Sequence, residues 1–402
     1  MRPSLEVADI FARFGDAYRQ AHKGHLSLSQ LKVMSAIQSC RTAVLGGHVE
    51  GCTKCDHTKI AYNSCRNRHC PKCQGAAARD WLAKRQEDLL PIGYFHVVFT
   101  LPHEIGDIAW YNKTVIYDLL FKAASQTLMT IAADPRHLGA RIGITAVLHT
   151  WGSALTHHPH IHMIVPGGGL SKDGKHWIRS RAKFLLPVRV LSKLFRRLFL
   201  DKLMALHRDA QLRFFGDHAP LADPKRFASF MASMRAKKWV VYAKAPFCGP
   251  DAVLAYLARY THRVAISNKR LIAIKDQGIT FAYKDYRRAP SDQQQTMTLT
   301  PDAFITRFLL HVLPKGFHRI RHYGFLSSGV RVREIMAIRH LLGAPQHPPE
   351  EADNATTPDA PPKKPWLICP CCGGDMVIID IFQCKAQPRA PPHAQPNHGR
   401  PP

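Results

Sequence analysis

Four histidines fall within six positions of the segment THHPHIHMIVPGGG, at His157, His158, His160 and His162. Imidazoles crowd in this way for metal binding or proton transfer. The chain holds 24 histidines, so chance crowding stands against both. If the segment is a strand, alternate residues share a face. His160 and His162 then point together, with Ile161 turned to the opposite side. That geometry suits two imidazoles on one metal ion; the other reading is a polar edge whose histidines are satisfied by hydrogen bonds. A third ligand would come from a neighbouring strand, and His149 in AVLHTWG lies across the hairpin if the turn centres near residues 154–156. His158 shares the parity of the pair, but Pro159 bends the chain beside it, and Asp173 beyond the glycines reads as a turn residue.

The cysteines offer a second chemistry. CTKC at Cys52 and Cys55 and CPKC at Cys70 and Cys73 give the spacing C-x2-C-x14-C-x2-C. Two such knuckles present four thiolates to one tetrahedral Zn²⁺. A redox CxxC is the rival, but redox motifs do not come as matched pairs in a basic loop. His57, Cys65 and His69 lie within the segment and leave room for a different choice of ligand. Arg66 and Arg68, beside the second knuckle, are expected to touch phosphate. A further CPCC brings Cys369 and Cys372, with only Cys384 beyond them: half of a second zinc ribbon, or a degenerate half-site.

A third pattern is AYLARYTHR, with Tyr256 and Tyr260 one helical turn apart. Such pairs are most often packing residues. These are set among Arg259, His262, Arg263, Lys269 and Arg270. A phenol has an unperturbed pKa of about 10, and nearby cations or a metal would make it a better nucleophile toward phosphate.

A His-hydrophobe-His strand with a Tyr-x3-Tyr helix resembles the HUH endonucleases. More closely, the chain resembles the two-tyrosine rolling-circle transposases of bacterial insertion sequences (the insertion-sequence-ninety-one type). The resemblance rests on NSCRNRHCPKCQGAAARDWL, FHVVFTLPHE, LHTWG, HHPHIHMIVPGGGL, YLARYTHRVAISNKRL and FITRFLLHVLPKGFHRIRHYGFL, in that order from about residue 40 to 340. It implies a DNA transposase that nicks and rejoins single-stranded DNA. Mg²⁺ or Mn²⁺ would sit on His160, His162 and either His149 or His158, with His149 preferred. Tyr256 or Tyr260 would attack to leave a 5′-phosphotyrosine. A plasmid or phage replication initiator, a relaxase, or a non-catalytic zinc-dependent regulator remain as other readings.

The elements that must position these groups follow from periodicity. Helices are expected over 4–22, from a cap at Ser27 or Ser29 to Gly46-Gly47, and from Gln74 to Pro91. A strand is expected at 94–102, helices over 103–134, and strands at 142–152 and 158–169. A basic helix follows around 189–213, then a strand in KWVVYAKAPF, a helix over 251–264, a hairpin around Gly278, a Thr300-capped helix with Pro301, and a helix at 332–342. FHRIRHYGFL interleaves Arg319 and Arg321 with Phe317, Tyr323 and Phe325, which reads equally as a single-strand-binding surface or a buried aromatic cluster with a basic edge. The fold class is α+β: an HUH-type antiparallel sheet flanked by helices, preceded by a helical and zinc-knuckle segment. Three domains are expected, at 1–90, 91–343 and 344–402, the last a Pro-rich linker and tail.

Composition agrees with a nucleic-acid partner. Lys and Arg total 56 against 29 Asp and Glu, a formal net charge of +27 over 402 residues, and such an excess attracts polyanions. Neither a secretory signal nor a membrane-spanning run is apparent, so a cytoplasmic protein is expected, in which 11 cysteines point to metal rather than disulfides.

Overall fold

The computed structural model describes residues 5–86, 88–247, 264–344 and 368–386. Its centre is a five-stranded antiparallel sheet of β3 (Tyr94–Thr100), β4 (Gly143–Trp151), β5 (His157–Pro166), β8 (Val241–Phe247) and β12 (Ile320–Gly324). The spatial order is β12-β4-β5-β3-β8. Alternation sorts the residues. Phe95, Val97 and Phe99, Ile144, Ala146 and Leu148, and Ile161, Met163 and Val165 all face one core. Helices α4 (His103–Tyr111), α5 (Lys113–Ala133), α6 (Val188–Arg208) and α7 (Pro224–Ala236) cover that side. Phe195 and Phe199 of α6 reach Trp239 at ring distances of 5.3 Å each. Between β5 and α6 lie the short strands β6 (Gly168–Leu170) and β7 (Trp177–Arg179), paired with each other.

A second core joins distant parts of the chain. Helices α1 (Val7–Ala21) and α2 (Leu28–Ser39) pack with α8 (Pro301–Leu310) on the sheet of β9 (Leu271–Lys275), β10 (Gly278–Lys284) and β11 (Gln294–Leu299). Phe11 meets Phe308 edge-on at 5.4 Å, and Phe281 meets Phe304 at 5.8 Å. Residues 7–40 therefore share their apolar surface with residues 265–312 rather than closing a core of their own. The Ser27 hydroxyl caps α2 through Gln30, and Thr300 caps α8. The expected continuation of α2 to Gly46-Gly47 does not form: Cys40 turns into an extended conformation and leaves the helix.

A third unit pairs the two ends of the chain. Strands β1 (Gly47–Cys52) and β2 (Thr58–Tyr62) form a hairpin within a segment whose sequence has no clear period, and α3 (Gln74–Gln86) follows. Strand β13 (Met376–Phe382) lies antiparallel on β1, from Gly47 opposite Phe382 to Cys52 opposite Met376. Helix α9 (Arg331–Leu341) packs through Ile335 and Ile338 near Leu326 and Tyr94. Among the described residues no helix is long and apolar enough to cross a membrane.

Gly324 ends β12 at φ +61, where a Cβ would overlap the Ile142 carbonyl oxygen. A left-handed non-glycine residue costs about 1–3 kcal/mol before any clash is counted. Gly324→Ala is therefore expected to lower unfolding free energy by more than about 2 kcal/mol in urea titrations; a loss under about 0.5 kcal/mol, as at an ordinary surface position, contradicts this account of the β12–β4 edge.

Candidate metal centres and catalytic face

The core-facing alternation fixes what the other face of the central sheet displays. His149 on β4 lies directly opposite His160 on β5, and Val147 lies opposite His162. The ring centres of His149 are 5.6 Å from His160 and 4.5 Å from His162, and the latter two are 4.9 Å apart. Nitrogens of all three come within 4.8 Å of one another. His158 is exposed and stands outside the trio, and its carbonyl accepts a 2.6 Å hydrogen bond from His160 Nδ1. That bond commits His160 Nδ1 as the protonated nitrogen, so Nε2 is the one with a lone pair to give a metal. His157 points to the opposite side, where its Nε2 lies 2.8 Å from the Tyr117 hydroxyl; burial and Lys113 hold it down to about 4, so it is neutral.

His96 on β3 completes the arrangement. Its Nε2 lies 2.8 Å from His162 Nδ1, and the rings stack at 5.0 Å. Burial, with Lys244 and His160 nearby, lowers His96 to about 4, so a neutral imidazole faces His162. A ligand histidine usually has its second nitrogen engaged in this way, which fixes the ring and its tautomer. Three imidazoles whose nitrogens converge in this way fit a divalent ion that takes its other ligands from oxygen. Tyr242 and Lys244 on β8 lie on the same side of the sheet, opposite Val98 and His96, and both are exposed. The alternation in VVYAKAPF carried the signal for Tyr242 and Lys244, and that in FHVVFT the signal for His96.

The thiols divide differently from the expected single site. Cys70 and Cys73 join Cys40 and Cys65, with Cys73 Sγ 3.5 Å from Cys40 Sγ and 3.6 Å from Cys65 Sγ. Cys52 and Cys55 are not part of this group; they meet Cys369 and Cys372 instead. The reason lies in the backbone. Cys40 leaves α2 at its end, Arg66 at φ 50 turns the chain after Cys65, and the knuckle puts Cys73 just before α3. Cys52 ends β1 and Cys55 lies in the β1–β2 turn, where they meet the segment leading into β13. Tetrahedral Zn–S bonds of about 2.3 Å require sulfurs roughly 3.8 Å apart. Four thiolates held so closely repel unless a cation lies among them. The Cys73 thiolate is further favoured by the α3 N-terminus. His69 is no ligand: its Nε2 accepts from the Leu313 N–H, and burial with Arg319, Arg68 and Lys113 lowers it to about 3.

Several expected DNA-contact residues serve the fold. Arg68 donates to the Phe317 carbonyl, and Arg319 to Gln74 Oε1 at 2.6 Å. Burial lowers Arg319 to about 10. Arg321 pairs with Asp118 over the rings of Phe121 and Phe317. Arg270 donates to the carbonyls of Ser153, Ala265 and Ala282. Phe317 and Phe325 are buried, so FHRIRHYGFL is chiefly an edge strand with its aromatic packing. Arg66 is exposed. Tyr256, Tyr260, Arg259 and Arg263 lie outside the described residues.

Comparison with known proteins bears on both centres. A family model described as "Putative transposase" matches residues 143–334, and one described as "Transposase zinc-binding domain" matches residues 10–101. The first contains the three converging histidines and the second all four thiols of the Cys40 group. The chain is 53% identical over 386 residues to "Putative transposase y4qJ" of Sinorhizobium fredii, covering 95% of this chain and 96% of that one. It is 27% identical over 375 residues to "Transposase for insertion sequence element IS801" of Pseudomonas savastanoi pv. phaseolicola, covering 88% and 84%.

If Cys40 and Cys70 hold one ion, Cys40→Ser and Cys70→Ser should each release the same zinc, and the double variant should release no more than either alone. Zinc content of purified full-length variants measures this. Retention of full zinc by Cys40→Ser removes Cys40 from the ligand set.

Proposed function

The chain belongs to the insertion-sequence transposases of these matches, and on that premise we propose that it cuts and rejoins single-stranded DNA through a tyrosine–phosphate ester. The observation that carries this reading is the convergence of His149, His160 and His162 on the open face of the sheet, inside the transposase match. The strand partners hold the imidazole nitrogens still, so little reorganisation is needed when a phosphate arrives. Mg²⁺ or Mn²⁺ on these nitrogens would withdraw charge from a phosphate oxygen. Tyr256 or Tyr260 attacks the phosphorus through its phenolic oxygen and gives up its proton. The bond from phosphorus to the 3′ oxygen breaks, that oxygen takes a proton and leaves as a hydroxyl, and the 5′ phosphate stays esterified to tyrosine. A later 3′ hydroxyl reverses the exchange, and because one ester replaces another no nucleotide is consumed. Two tyrosines let one hold a strand end while the other cuts again. On the same face Lys244 offers a cation to the phosphate backbone, and Tyr242 offers a ring for a base to stack on.

Full-length protein incubated with single-stranded oligonucleotides bearing element ends, with Mn²⁺ or with chelator, is expected to form a denaturation-resistant adduct only with the metal. Tyr256→Phe/Tyr260→Phe should form none; an adduct surviving in that double variant refutes the assignment of the nucleophiles. His96 acts through His162, so His96→Ala should weaken Mn²⁺ binding about 10–100-fold while adduct formation recovers at saturating metal. Unchanged Mn²⁺ affinity by spin-resonance titration removes His96 from the positioning role.

A further inference from the structure

We infer that Cys52, Cys55, Cys369 and Cys372 form a second zinc site that clasps the C-terminal strand β13 onto the N-terminal hairpin. Cys369 and Cys372 lie outside both matched segments. Cys52 Sγ is 3.4 Å from Cys372 Sγ, and Cys55 Sγ is 3.7 Å from Cys369 Sγ. All four sulfurs lie within 4.8 Å of one another, close to the roughly 3.8 Å edges of a zinc tetrathiolate. Disulfide bonding would need about 2.05 Å, and every one of these thiols is free.

The backbone around the four sulfurs is shaped for the charge of thiolates. The Lys54 N–H donates to Cys52 Sγ at 3.3 Å, and the Cys371 N–H donates to Cys369 Sγ at 3.4 Å. Each knuckle thus turns an amide onto its own sulfur two residues away. The Gly373 N–H bonds the Cys369 carbonyl at 3.0 Å, and Gly373 sits at φ 71, which closes the turn. The Thr53 N–H meets the Asp375 carbonyl at 2.9 Å and ties the two knuckles directly.

Beyond its ladder on β1 and its two buried ends, β13 has little apolar anchorage. Its ends, Met376 and Phe382, are buried, but Val377, Ile378, Ile379 and Ile381 are 45–74% exposed. A three-stranded sheet with so small an apolar face is marginal by itself. Cys55 and Cys369 are 314 residues apart, so bringing them together has a loop-closure cost that the metal bonds offset. The two quartets therefore differ in consequence. The Cys40 group is packed into the second core, whereas the Cys52 group includes exposed Cys372. Losing the outer metal frees the tail without opening the catalytic sheet.

Native mass spectrometry of the full-length protein should find two zinc ions per chain, and Cys369→Ser/Cys372→Ser should carry one. Hydrogen exchange in that variant should rise across 47–52 and 376–382 while 143–151 stays protected, which separates loss of the clasp from global unfolding. Cys371→Ser and Cys384→Ser should keep both ions. One zinc in the unaltered chain, or two in the Cys369→Ser/Cys372→Ser variant, overturns the proposal, as does loss of an ion from Cys371→Ser.

Discussion

The register between β4 and β5 is the constraint on which the histidine face depends. Sliding one strand by a single residue would turn its whole set of side chains over. His160 and His162 would then enter the core, and Ile161 and Met163 would meet water. Burial of Ile161, Met163 and Val165 against β3, β4 and the helices behind them makes that slip costly, since each buried aliphatic side chain contributes about 1.5–3 kcal/mol. The apolar side of the sheet thus holds the histidine side in place. An irregularity between His149 and Trp151 absorbs the change of spacing as the strands approach the turn, leaving His149 opposite His160. His96 sits on β3, one strand away from His162 on the other side, so the trio is braced from both neighbours of β5.

A second dependence runs through the Cys40 group. Its thiols contact the core shared by α1, α2, α8 and the β9–β11 sheet. The helix that supplies Cys40, the loop that supplies Cys65 and the knuckle that supplies Cys70 and Cys73 meet at the thiols, so a metal there would tie three separate segments together, as in small metal-dependent folds. The same core contains Leu155 from the β4–β5 turn. Zinc at the Cys40 group would therefore support the turn that joins the two histidine strands, although it lies outside the histidine face.

What could be read from the sequence was local. The parity of His160 and His162, the strand carrying His149, the caps at Ser27 and Thr300, and most helix positions follow from periods of 2 and 3.6 and from short side-chain-to-backbone bonds. The partners of each CxxC could not be read in that way. Spacing suggested that the nearest knuckle was the mate, whereas the β1–β2 hairpin carries Cys52 and Cys55 toward a tail 314 residues distant. Cys40 stands alone in sequence with nothing to mark it as a ligand, and Cys65 appeared only as one alternative alongside His57 and His69. β1 and β2 are short and only partly apolar, and β13 finds its place through pairing with β1, which no local pattern records.

The charge excess needs the same distinction between local pattern and place in the fold. Arginines beside aromatic residues looked like a nucleic-acid surface, yet Arg68, Arg270, Arg319 and Arg321 spend donors on protein carbonyls, an amide and a carboxylate. Arginine suits that work because its fork satisfies several acceptors at once and its stem and plane pack on rings. A net charge of +27 consequently overstates what the surface offers to a phosphate backbone. Under the proposed function the cations beside the histidines are the ones that would meet the phosphate backbone, and Lys244 is picked out by its strand position rather than by its neighbours in sequence.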